Sequence, residues 1–124
     1  MAKKILIVED EERVVRMLKQ GLAAAGYETV SAPNGKAGIH LAKKAKVDLI
    51  LLDVVMEGMD GFEVLRTLKA NRKLREIPVF MLTGRGEPED IECGISNLAE
   101  KYITKPFELQ HLLDSIHKTL YTLH

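Results

Sequence analysis

The sequence predicts an α/β fold: a parallel β-sheet with helices packed on both faces. Three observations predict it. Short runs of Ile, Leu and Val alternate with longer stretches of helical periodicity, five times along the chain. The two strongest apolar runs are residues 4–8, which suit a strand buried on both faces, and residues 47–52. Acidic, hydroxyl or lysine side chains stand where the strong runs end.

The elements follow in order. Ile5-Leu6-Ile7-Val8 makes the first strand and stops at acidic residues. Val14, Val15, Leu18 and Leu22 then recur at helical spacing over residues 12–25, and Gly26 stands where a left-handed cap would end that helix. Glu28-Thr29-Val30-Ser31 reads as a weaker strand nearer an edge. Asn34 is placed to cap a second helix, with Ala37, Leu41 and Ala45 on one face. Residues 47–52 form the next strand and end at Asp53. A loop over residues 58–61 leads to a helix carrying Phe62, Leu65 and Leu68, and Asp60-Gly61 is its turn and start. Residues 77–82 form a strand ending at Thr83-Gly84, and Ile91, Ile95 and Leu98 mark a fourth helix. Residues 101–104 give a last short strand before Lys105-Pro106. Leu109, Leu112, Leu113, Ile116, Leu120 and Leu123 form the most regular amphipathic helix in the chain. Met17, Met56, Met59 and Met81 read as packing residues, and the four histidines as solvated helix positions without metal-ligand spacing.

Composition bounds the function. The 124 residues suit one domain, 1–124, large enough for a core without staples. Eighteen basic residues balance eighteen acidic ones, so no global basic field invites nucleic acid or a membrane surface. The single cysteine, Cys93, cannot form an internal disulfide. No apolar run approaches a membrane span, and the N-terminal apolar stretch is too short for a secretory signal, so a cytoplasmic location is expected.

In parallel sheets of this kind, ligands bind beyond the carboxyl ends of the strands. Glu9, Asp10, Asp53, Thr83 and Lys105 all fall at such ends. Bare carboxylates repel at close range, and a hard divalent cation with oxygen ligands, such as Mg²⁺, relieves that repulsion. A metal, a carboxylate nucleophile, a hydroxyl and an ammonium are the parts that phosphoryl transfer requires.

These segments resemble the receiver domain of bacterial response regulators over essentially the whole length. The matching pieces are Ile5-Leu6-Ile7-Val8-Glu9-Asp10-Glu11, Leu51-Leu52-Asp53-Val54-Val55-Met56, Met59-Asp60-Gly61, Leu82-Thr83-Gly84 and Tyr102-Ile103-Thr104-Lys105-Pro106-Phe107. The resemblance is to single-domain chemotaxis-type or kinase-associated receivers. It implies a flavodoxin-like (βα)5 doubly wound fold with a five-stranded parallel sheet in the order 2-1-3-4-5. It implies that Asp53 accepts a phosphoryl group from a histidine kinase or phosphotransfer protein. Glu9, Asp10, Asp53 and the carbonyl of Val55 would hold Mg²⁺. Thr83 and Lys105 would contact phosphoryl oxygens, and Tyr102 would be a rotameric switch coupled to Thr83. The Lys105-Pro106 peptide would be cis. The fourth helix, fifth strand and last helix would form the surface that binds a downstream protein target. The chain would slowly dephosphorylate itself rather than act as a turnover enzyme. It would be a monomer or weak dimer with no direct contact to nucleic acid or membrane.

Departures from the family pattern are local. Glu57 stands where proline is usual, and Leu98-Ala99-Glu100-Lys101 replaces a glycine-containing acidic stretch. Ser115 and His117 occupy positions that carry dimer-forming arginines in winged-helix regulators. Two other chemistries fit less well. A phosphohydrolase of the haloacid-dehalogenase type needs an aspartate at position 55, where this chain has valine. A flavin carrier needs a neutral anion cradle after the first strand, where this chain has four acids, Glu9 to Glu12. A docking-only pseudo-receiver is disfavoured by the complete set Asp10, Asp53, Thr83 and Lys105.

Overall fold

The computed structural model describes residues 2–84 and 98–121. In chain order the elements are β1 (Lys4–Val8), α1 (Glu12–Ala24), β2 (Glu28–Ala32), α2 (Gly35–Lys44), β3 (Leu49–Asp53), α3 (Gly61–Ala70), β4 (Val79–Thr83), β5 (Lys101–Thr104) and α4 (Leu109–Tyr121). The strands form one parallel sheet in the order β2-β1-β3-β4-β5. The fold class and strand order expected above are those observed. The fourth helix expected around Ile91 and Ile95 lies outside the described residues, as do Cys93 and Leu123.

Strand alternation splits the core into two layers. Leu6, Val8, Ile50, Leu52, Val79 and Met81 face α2 and α3, where Ala42, Val64, Leu65 and Leu68 meet them. Ile5, Ile7, Leu49, Leu51, Phe80 and Leu82 face α1 and α4, against Leu18, Leu22, Leu112 and Ile116. Successive strand residues point to opposite faces, so a strand covered on both sides must be apolar at every position. β3 shows this from Leu49 to Leu52, all buried and apolar, and its buried last residue, Asp53, is the polar exception at the rim.

Local chemistry sets the element ends. The Asn34 side chain accepts a hydrogen bond from Ala37 N at 2.9 Å and starts α2. Asp60 Oδ1 accepts from Glu63 N at 2.9 Å and starts α3. Gly26, at φ 95°, occupies the left-handed conformation that closes the end of α1. Two details differ from the sequence reading. Phe62 is only half-buried, and Val64 takes the central place in the α3 stripe because Gly61, Val64, Leu65 and Leu68 share the inward arc. Met17 is 40% exposed rather than packed, since Leu18 and Leu22 define the buried line of α1.

Candidate functional site

The C-terminal rim of the sheet gathers the charged residues. Ile7 pairs with Leu51 and Val8 with Leu52 across β1 and β3. One step further along that ladder come Glu9 and Asp53, which alternation places on the same side of the sheet. Both are buried, at 2% and 4% exposure, whereas Asp10 is exposed. Carboxylate oxygens of Glu9, Asp10 and Asp53 all lie within 4.8 Å of one another.

Lys105 enters from the other side. It follows β5 directly, and its N–H donates to the carbonyl of Thr83, tying the end of β5 to β4. Its Nζ lies 3.1 Å from Glu9 Oε1 and 3.1 Å from Asp53 Oδ1. The Lys105-Pro106 peptide is cis. The Asp53 side chain keeps 5% of its surface and Lys105 keeps 27%, so the lysine is the more exposed partner of the pair. The second Glu9 oxygen accepts from Glu11 N at 3.1 Å and holds the turn into α1.

Burial and charge act on these groups in opposite directions. Glu9 is pushed up to about 7, first by burial and then by the nearby charge of Asp53, against the opposing effects of Glu11 N–H and Lys105. For Lys105 burial favours the neutral amine, but the hydrogen bond and charge of Asp53, followed by those of Glu9, outweigh it and raise its pKa.

Thr83 closes β4 half-buried at the same rim, paired in register with Thr104. Tyr102 pairs with Met81 and packs on the α2/α3 layer, its hydroxyl buried with no hydrogen-bond partner among the described residues. Val55 lies in the loop after β3, 60% exposed. Glu57 lines an open cleft of about 650 Å³ with Asp10, Asn34 and Lys36.

Two features were not read from the sequence. One is that Glu9 is a direct partner of Lys105; the pairing needs residues 96 positions apart, so no local signal announces it. The other is Gly61. Its N–H donates to the Val54 carbonyl at 2.8 Å, and a Cβ there would collide with the carbonyl oxygen of Asp53. The Asp60-Gly61 pair was visible as a turn; the close approach behind it was not.

The donor set fits a small, hard divalent cation. Three carboxylates converge, one is open to solvent, and a single ammonium offsets only part of their charge. A phosphoryl group would find the same ammonium and the Thr83 hydroxyl at that rim.

A parallel five-stranded sheet carrying this acidic rim and its lysine defines a class of proteins, the receivers of two-component signalling. The comparisons agree. The model of the response regulator receiver domain family matches residues 5–117, and the chain belongs to that family. Among curated proteins it is 38% identical over 117 residues to the transcriptional regulatory protein HprR of Escherichia coli, covering 94% of this chain and 51% of that protein. It is 39% identical over 107 residues to the alkaline phosphatase synthesis transcriptional regulatory protein PhoP of Bacillus subtilis, covering 86% of this chain and 44% of that one. The chain thus spans about half the length of the curated relatives it matches. Among solved structures, the signal receiver domain of a signal transduction histidine kinase from Syntrophus aciditrophicus aligns with a TM-score of 0.89 at 34% identity, over 99% of this chain and 96% of that one. The chemotaxis protein CheY4 of Vibrio cholerae aligns with a TM-score of 0.86 at 28% identity, over 97% and 100%. Among the described residues no helix is long and apolar enough to cross a membrane.

Proposed function

We propose that this receiver is a Mg²⁺-dependent phosphorylation switch in which Asp53 accepts a phosphoryl group from a phosphohistidine on a histidine kinase or phosphotransfer protein. The observation that supports this most is the position of Lys105 Nζ, 3.1 Å from oxygens of both Glu9 and Asp53. An Asp53 oxygen attacks phosphorus, and the P–N bond to the donor imidazole breaks, its electron pair leaving with the imidazole as that ring takes a proton. Glu9, Asp10, Asp53 and the Val55 carbonyl would hold the metal. When bound, Mg²⁺ supplies positive charge to the equatorial phosphoryl oxygens. Lys105 gives up its bond to Asp53 and pairs with a phosphoryl oxygen, which uncovers the nucleophile as the donor arrives. The Thr83 hydroxyl donates to another oxygen.

The switch follows from the same contacts. An acyl phosphate adds charge and acceptors beside Thr83 and Lys105, and both are tied to β4 and β5. Movement there repositions Tyr102 and changes the surface formed by β5, α4 and the segment preceding β5, where a downstream protein binds. Water attack on phosphorus later breaks the P–O bond, releases inorganic phosphate and restores the carboxylate. The chain therefore modifies itself and is not a turnover enzyme. It works in the cytoplasm as a monomer or weak dimer, without nucleic-acid contacts of its own.

Mass spectrometry after incubation with acetyl phosphate and Mg²⁺ tests this reading. One hydroxylamine-sensitive phosphoryl group is expected on the native chain and none on Asp53→Asn. The same group on the variant would overturn the assignment of the nucleophile.

A further inference from the structure

We infer that the pole of the domain opposite the acidic rim is a docking site for an acidic peptide segment of a partner protein. Parallel crossovers return α2 and α3 to the amino-terminal ends of the strands, so both helices finish at that pole. Six cations collect there: Lys43 and Lys44 in the last turn of α2, Lys46 after it, and Arg72, Lys73 and Arg75 after α3. All six are exposed. Both ion pairs among the described residues belong to Lys105 at the other end, so none of these six has a carboxylate partner there.

This clustering is not a by-product of composition. The chain carries eighteen basic and eighteen acidic residues, enough to pair or intersperse the charges. Helix ends explain part of it, because cations favour the carbonyl end of a helix. That accounts for Lys43 and Lys44. Arg72, Lys73 and Arg75 lie beyond α3, and it is Lys69 that turns back to bond the carbonyls of Arg75 and Ile77, at 3.0 and 2.8 Å. Like charges held together without partners repel, and the repulsion is relieved when an anion binds.

Shape selects the occupant. Lys43, Arg72 and Lys73 line a concavity of about 620 Å³ together with Ala70, Asn71 and the buried Leu74, and no carboxylate lines it. A depression lined by three cations, an amide and two apolar side chains accepts an acidic side chain together with its aliphatic stem. Duplex DNA is read by a helix or ribbon laid into a groove, and here two helices end instead.

The test is a two-dimensional amide NMR titration of the intact chain with a short oligoglutamate peptide, and in parallel with duplex DNA of matched charge. Peptide shifts are expected at residues 43 and 70–75, weakening with added salt. Combining Lys43→Glu, Arg72→Glu and Lys73→Glu weakens the peptide by about tenfold or more, while Lys118→Glu on α4 leaves it unchanged. Melting temperature and Mg²⁺ titration of the triple variant report whether the fold and the acidic rim are intact. Shifts spread over lysines all round the surface, tighter binding of the duplex than of the peptide, or no shifts at all would overturn the inference.

Discussion

Gly61 lies so close to the backbone of Asp53 that no side chain fits between them: a Cβ at position 61 would collide with the Asp53 carbonyl oxygen and sit 2.7 Å from Val54 Cα. The first residue of α3 is thus braced against the strand end that carries Asp53. Both contacts are backbone and cannot give way by rotating a side chain. Gly61→Ala is expected to destabilise the domain by about 1–3 kcal/mol, as overpacking does. It should also weaken Mg²⁺ binding, because Asp53 and the loop carrying Val55 must shift. Urea denaturation and an NMR Mg²⁺ titration measure the two effects, and native values in both would refute the brace.

Glu9 gives the metal-free protein a distinctive pH response. Its folded-state pKa, about 7, lies above the ordinary 4.5. Between those values the folded state holds a proton that the unfolded chain has released, so stability falls as pH rises. The contribution is complete below pH 4.5 and is lost as pH passes about 7. Glu9→Gln keeps an oxygen for Glu11 N–H and has no proton to lose. Denaturation midpoints of the variant, measured across this range without metal, should decline less steeply with pH than those of the native chain. Parallel declines would show that Glu9 is not the group responsible.

Lys105 is the countercharge for two buried carboxylates, so Lys105→Met leaves them unpaired. Loss of one partner of a buried pair costs about 3–5 kcal/mol, and the partial exposure of Lys105 reduces this to about 2 kcal/mol here. Mg²⁺ should restore more stability to the variant than to the native chain, since the metal then carries the whole neutralising role. Melting curves with and without Mg²⁺ compare the two directly, and equal gains would contradict this account.

Tyr102 offers a test with the opposite sign. Its hydroxyl is buried without a partner among the described residues. A buried unpaired hydroxyl costs free energy, so Tyr102→Phe should be neutral or stabilising by up to about 1 kcal/mol. Clear destabilisation in urea would mean that the hydroxyl is satisfied. Asp60→Ala, which removes the cap of α3, serves as a reference loss of about 1 kcal/mol.

Much of this molecule was legible in the sequence, for identifiable reasons. Ile5 to Val8 and Leu49 to Leu52 announce strands because burial on both faces leaves no polar position to confuse the pattern. Asn34, Asp60 and Gly26 act through bonds or dihedral angles within a few residues of themselves, so their roles are written locally. Asp53, Thr83 and Lys105 could be gathered at one rim in advance, since a parallel sheet aligns all its carboxyl ends.

Tertiary structure decided what depends on distance across the chain. Glu9 and Asp10 are neighbours in sequence, yet one is buried against Lys105 and the other faces solvent. The fit of Gly61 against Asp53 and the gathering of Lys43 with Arg72 and Lys73 are likewise products of packing. Periodicity and capping are short-range and can be read from neighbouring residues. Charge pairing and close backbone approach act through space, and they take a definite form only once the sheet has brought remote segments together.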